Sequence, residues 1–142
     1  MIRKLFFIPH PNVAVDPHAP VPQWLLSERG AARMRASLSQ SWVPSISAIH
    51  SSRERKAIDG AEILSSHLRL PFDCHEALGE NDRSSTGFLP PDEFERVADQ
   101  FFAHLDVSVR GWETASAAQR RIAPAVDGLI KGDRTKGNPA VV

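Results

Sequence analysis

Short, continuously apolar runs alternate along this chain with longer stretches of helical period, and that alternation limits the fold more than any other feature. Leu5 to Ile8 reads as a strand buried on both faces. "LSERGAARMRASLSQ" follows, with Ser27 as N-cap, Glu28 just inside, and Ala31, Met34 and Leu38 along one face. "SISAIHSS" (45–52) is a second short strand, and "RERKAIDGAEILSSHLRL" is an amphipathic helix with Ala57, Ala61, Leu64 and Leu68 on one side. "LPFDCH" has room for a third strand. "PDEFERVADQFFAHL" is the clearest helix, with Pro91 where a first-turn proline is tolerated. "RGWETASAAQRRIAPAVDGLIKG" is a further helix that Pro124 should interrupt, at a cost of about 3 kcal/mol if internal. "GNPAVV" begins like another buried strand. Strands alternating with helices predict an α/β fold: a three-layer sandwich in which a mostly parallel sheet carries helices on both faces.

With 142 residues and no repeat, low-complexity segment or linker, residues 1–142 read as a single domain. Seventeen basic and seventeen acidic residues cancel, so no global field recruits nucleic acid or an anionic membrane surface. Any anion site must be built locally. No apolar run approaches the roughly 18 residues of a membrane span, and the apolar part of "MIRKLFFI" is too short for a signal sequence. A single cysteine, Cys74, permits no internal disulfide and reads as an inert packed thiol. These features together predict a cytoplasmic protein.

Ligands of parallel sheets sit beyond the carboxyl ends of the strands. His10 follows the first strand and stands between Pro9 and Pro11, each with a fixed φ and no N–H, so the histidine lies on a stiff, non-helical stretch. Ser51, Ser52, Arg53 and Lys56 follow the second strand and open a helix, whose free N–H groups favour an anion. Two strand ends therefore deliver a histidine and positive charge to one rim, where a phosphate would fit. His50 and His75 also fall near strand ends, with a structural role the simpler reading. Trp24, Trp42 and Trp112 are expected to pack helices on the sheet.

The same residues, in the same order, resemble the histidine phosphatase superfamily, the phosphoglycerate-mutase-like enzymes. Pro9-His10-Pro11 stands where the family has Arg-His-Gly after its first strand. "LSERG" is intact at Leu26 to Gly30. "SSRERKAIDGA" matches a strand ending in paired serines, with Lys56 at an arginine position and Gly60-Ala61 at a Thr-Ala. "ALGEND" offers Glu80 at the family's loop glutamate, and "RGWETASAAQRRI" is a similar stretch further on. The resemblance implies phosphomonoester hydrolysis through a phosphohistidine, with no metal or cofactor. His10 would be the nucleophile and Glu80 the acid, with phosphate bound by Lys56 and, one helical turn upstream, Arg53. The substrate would be a phosphorylated small molecule or a phosphoprotein.

Three departures shape the expectation. Pro9 removes an arginine beside the nucleophile. Lys56 keeps charge but not the planar fork of the second arginine. The family's second histidine follows a final strand, and this sequence stops at "NPAVV", so the resemblance implies a domain incomplete at its C-terminal part, with a sheet edge open to self-association. The alternative function is a catalytically impaired relative that binds phosphate-bearing ligands or a protein partner.

Overall fold

The computed structural model describes residues 2–142. Four strands, β1 (Phe6–Phe7), β2 (Ile46–Ser51), β3 (Phe72–Cys74) and β4 (Asn138–Val141), form one sheet in the order β1-β4-β2-β3. Every pairing is parallel, with Phe6 opposite Ala140, Ile49 opposite both Ala140 and Phe72, and a register shift between Ile46 and Ala48. That irregularity lies beside Pro139, which has no N–H to give an otherwise central strand. Four α-helices accompany the sheet among the described residues: α1 (Glu28–Ser37), α2 (Arg55–Leu68), α3 (Pro91–Ala103) and α4 (Ala115–Gly132).

The strand order dictates the layers. The chain moves one way across the sheet from β1 to β2 to β3, then back to β4. Right-handed crossovers place α1 and α2 on one face and the return through α3 and α4 on the other. On the first face Met34 of α1 and Ala61 and Leu64 of α2 meet Ile46 and Ile49 of β2 and Ala140 of β4, with Phe6 and Ile8 packed against them. Truncating the fully buried Leu64 to alanine would remove about 2–5 kcal/mol. Pro139 and Val141, which alternate with Ala140 and so point to the opposite face, are buried as well. A separate small core joins Val97 and Phe101 of α3 to Val109 and Trp112.

Local sequence explains the helix boundaries. Ser27 caps α1 by accepting from the Gly30 N–H at 3.0 Å, and Thr114 caps α4 by accepting from the Ala117 N–H at 3.0 Å. Pro91 opens α3 in its first turn, where its missing N–H costs nothing.

Several expectations need correction. β1 is only two residues long and is not buried on both faces: Phe7 is 61% exposed, because β1 is an edge strand covered only on the Phe6 side. Cys74 is exposed rather than packed, since β3 is the other edge. Pro124 does not break its helix; α4 runs through it, held by the Thr114 cap at one end and by Arg3, which reaches the Ile130 carbonyl and Asp133 at the other. Trp112 packs on α3 rather than on the sheet, with its ring 5.9 Å from Phe94 and 6.2 Å from Phe101, whereas Trp42 stacks on Phe6 of β1 at 4.8 Å.

Candidate active site

The loop leaving β1 carries His10 over the carboxyl end of the sheet, and the start of α1 holds that loop in place. The Asn12 carbonyl accepts from the Ser27 N–H at 3.0 Å and from the Ser27 hydroxyl at 3.2 Å, and Arg33 donates to the Asn12 side-chain oxygen at 2.8 Å. A Cβ on Gly30 would lie 2.0 Å from that carbonyl oxygen. "LSERG" is therefore both a capped helix start and a seat for the backbone two residues beyond the histidine.

Lys56 lies in the first turn of α2 and is 2% exposed, among the largest fully buried side chains of the protein. A charge this deep needs a partner. Its ammonium donates to Glu80 at 2.9 Å and lies 3.8 Å from Glu54, the residue that precedes α2. The other Glu80 oxygen accepts from His10 Nε2 at 3.0 Å, and Arg83 donates to Glu80 at 3.0 Å. His10, Lys56 and Arg83 thus converge on one carboxylate.

The protonation states follow from these partners. The second ring nitrogen of His10, Nδ1, faces the Pro11 carbonyl at 2.9 Å. A carbonyl and a carboxylate can only accept, and both ring nitrogens donate only in the imidazolium, the form this setting favours. The Glu80 hydrogen bond lifts its pKa above the ordinary value; burial pulls the other way, and the Pro11 carbonyl adds to the rise. Burial alone would raise the Glu80 carboxyl, but the hydrogen bonds from His10 and Lys56 and the charge of Arg83 outweigh it and hold the pKa at about 2.

The backbone bearing Glu80 is itself clamped. Its N–H donates to Glu54 at 3.0 Å, and Arg121 of α4 donates to the carbonyls of Ala77, Gly79 and Glu80 at 2.8, 2.9 and 3.1 Å. Glu113 grips the same guanidinium through both carboxylate oxygens at 3.1 and 2.8 Å. "RGWETASAAQRRI" thus supplies, 41 residues downstream, the brace for the Glu80 loop.

Of the residues singled out from sequence, His10, Lys56 and Glu80 are brought together. Arg53 is not: it is 66% exposed and lies 3.5 Å from Glu76, because α2 begins only at Arg55 and the preceding bend turns Arg53 outward. His50 and His75 pair with each other at 3.1 Å and do not line the cleft beside the cluster. Arg83 and Arg121 had no distinguishing signal, although the acidic Glu80 three residues before Arg83 is a spacing at which opposite charges meet. The cluster opens into a cleft of about 430 Å³ walled by Phe94, Ala98, Phe101, Phe102 and Trp112.

The loops beyond the carboxyl ends of a parallel α/β sheet, where such sheets place their ligands, thus gather a histidine and two cations around a single carboxylate. Family comparison agrees: residues 18–142 match the histidine phosphatase superfamily (branch 1), and the chain belongs to that superfamily. The matched span contains Lys56, Glu80 and Arg83 and begins after His10, so the histidine's place rests on the geometry above. No curated protein sequence matches the chain.

Solved structures share the fold. A mycobacterial glucosyl-3-phosphoglycerate phosphatase superposes with a TM-score of 0.82 at 18% identity, covering 99% of this chain and 73% of that one. The alpha-ribazole phosphatase from Shigella flexneri gives 0.73 at 16% identity over 97% and 72% of the two chains. Bacillus stearothermophilus YhfR gives 0.70 at 20% identity over 96% and 71%. No helix among the described residues is long and apolar enough to cross a membrane.

Proposed function

We propose that this protein is a phosphomonoesterase working through a phosphohistidine on a small phosphorylated substrate. The observation that carries the reading is the single carboxylate held by His10, Lys56 and Arg83. A phosphoryl group carries the same kind of charge and, with more oxygens, satisfies the same donors. Its arrival displaces Glu80, and Arg83 supplies a planar donor fork that Pro9 does not.

Displacement also sets the protonation. Without Lys56 and Arg83, which the phosphoryl oxygens now engage, the Glu80 carboxyl becomes more basic and takes up the proton that His10 shares with it across 3.0 Å. The one proton of the pair passes from His10 to Glu80. Neutral Nε2 then attacks phosphorus as the bond to the leaving oxygen breaks, and Glu80 gives its proton to that oxygen, releasing the alcohol. Water attacks the phosphohistidine, Glu80 accepts its proton, and inorganic phosphate leaves with His10 restored.

The test is p-nitrophenyl phosphate turnover in the presence of a chelator, wild type against His10→Ala. The expected result is steady hydrolysis that disappears in the variant. Equal rates in both proteins, or none in either, overturn the reading. Pro9, in the position of a family arginine, favours a second reading in which the same cluster binds phosphate-bearing ligands without turnover; binding of inorganic phosphate with no hydrolysis is its signature.

A further inference from the structure

Resting on the phosphate-binding part of that reading, we infer that the alcohol portion of the preferred ligand is aromatic, or otherwise flat and apolar, rather than a polyol. The cleft lining combines the charged cluster of His10, Lys56, Glu80 and Arg83 with Phe94, Phe101, Phe102 and Trp112 and with Val13 and Trp24. An anion seated on that cluster has two exposed aromatic side chains in the same cleft, Phe94 and Phe102, while Phe101 and Trp112 are buried. The aromatic wall and the cations are mechanically joined, because the Arg83 guanidinium sits 5.2 Å from the Phe94 ring centre and 5.7 Å from that of Trp112.

The wall has little to offer hydroxyl groups. The Trp112 indole N–H already donates to Thr86 at 2.9 Å, and the Trp24 indole N–H to the carbonyls of Asp16 and Ala19 at 2.9 and 3.2 Å. Among the lining side chains the Asn81 amide nitrogen is buried without a partner, a single donor where a sugar would need several. Hydroxyls pressed against the rings would lose water without replacement. A flat apolar group gains by the opposite logic: Phe102 is 72% exposed at the mouth of the cleft, held edge-on to the buried Phe101 at 5.0 Å, and a stacked ring would cover it. The cleft volume, about 430 Å³, lies within the range of small-molecule sites.

The discriminating measurement uses two phosphonates that cannot be hydrolysed, 1-naphthylmethylphosphonate and 2,3-dihydroxypropylphosphonate, with Kd taken by calorimetry on the whole chain. The naphthyl compound is expected to bind at least about tenfold more tightly, and Phe102→Ala to remove most of that margin while leaving the dihydroxypropyl Kd unchanged. Phe102 is too exposed for its truncation to unfold the protein, and a melting curve of the variant checks this. Equal affinities, a margin that survives in Phe102→Ala, or no binding of either compound overturns the inference. Selective binding in a protein that fails the His10-dependent turnover test would instead retire the esterase reading and leave the ligand assignment standing.

Discussion

Gly30→Ala perturbs the contact that seats the His10 loop, and its effect is calculable. The new Cβ would fall 2.0 Å from the Asn12 carbonyl oxygen and 3.0 Å from the carbonyl carbon, both backbone atoms. Relieving the overlap pushes the loop from α1, at about 1–3 kcal/mol for overpacking. It also breaks the two Asn12–Ser27 hydrogen bonds, worth about 0.5–1.5 kcal/mol each. Alanine recovers about 1 kcal/mol of helix propensity, leaving a net loss of about 1–5 kcal/mol. Gly128→Ala is the matched control: it lies within α4, where a Cβ meets nothing within 4 Å. Only the propensity term applies there, so the protein should gain up to about 1 kcal/mol. Thermal unfolding of both variants reads the difference; at about 2–4 °C per kcal/mol for a chain near this size, Gly30→Ala falls by several degrees while Gly128→Ala rises. A Gly30→Ala protein as stable as wild type would refute the account of the loop seat.

Pro124→Ala should raise the melting temperature, since it restores one hydrogen bond inside α4 at an exposed position; the gain is about 2–3 kcal/mol after allowing for the stiffer unfolded chain that proline provides. Glu80→Gln should tighten inorganic phosphate binding, about tenfold by calorimetry, because the internal anion that competes for Lys56 and Arg83 is gone; Arg83→Ala should weaken it. The pH dependence has a definite sign on each side. Glu80 is depressed from 4.5 to about 2, so its contribution is present above pH 4.5 and is lost as pH falls towards 2; wild type should lose more melting temperature than Glu80→Gln across that interval. His10 is raised above 6.5, so its contribution is complete below pH 6.5 and fades as pH climbs through the raised value; the gap between wild type and His10→Asn should narrow there.

Much of this arrangement is legible in the sequence where a local rule acts. Ser27 and Pro91 announce their helices because capping and first-turn proline depend on neighbours only. The meeting of His10 with Lys56 is foreseeable because parallel strands deliver their loops to one rim. Arg83 and Arg121 carry no such mark: each matters through partners set by tertiary packing, Arg83 by its reach back to Glu80 and Arg121 by three backbone carbonyls on a distant loop. Arg53 misleads for the converse reason, since proximity in sequence to a helix start says nothing of which way a bend turns the side chain. The exposure of Phe7 and Cys74 follows from strand order, which apolar runs alone do not encode.

The place of β4 between β1 and β2 has a consequence for biosynthesis. Strand β1 has no hydrogen-bonding neighbour in the sheet except β4, and the Arg3 contact to Gly137 spans 134 residues. At ribosomal rates of about 5–20 residues per second, roughly 7–26 s separate the emergence of the two strands. During that interval β1 has no strand to pair with, and Phe6 and the His10 loop have only Trp42 and the start of α1 to hold them. The β1–β4 pairing therefore waits for β4, and closure of so distant a pair predicts slow folding relative to the helical α1–α2 layer.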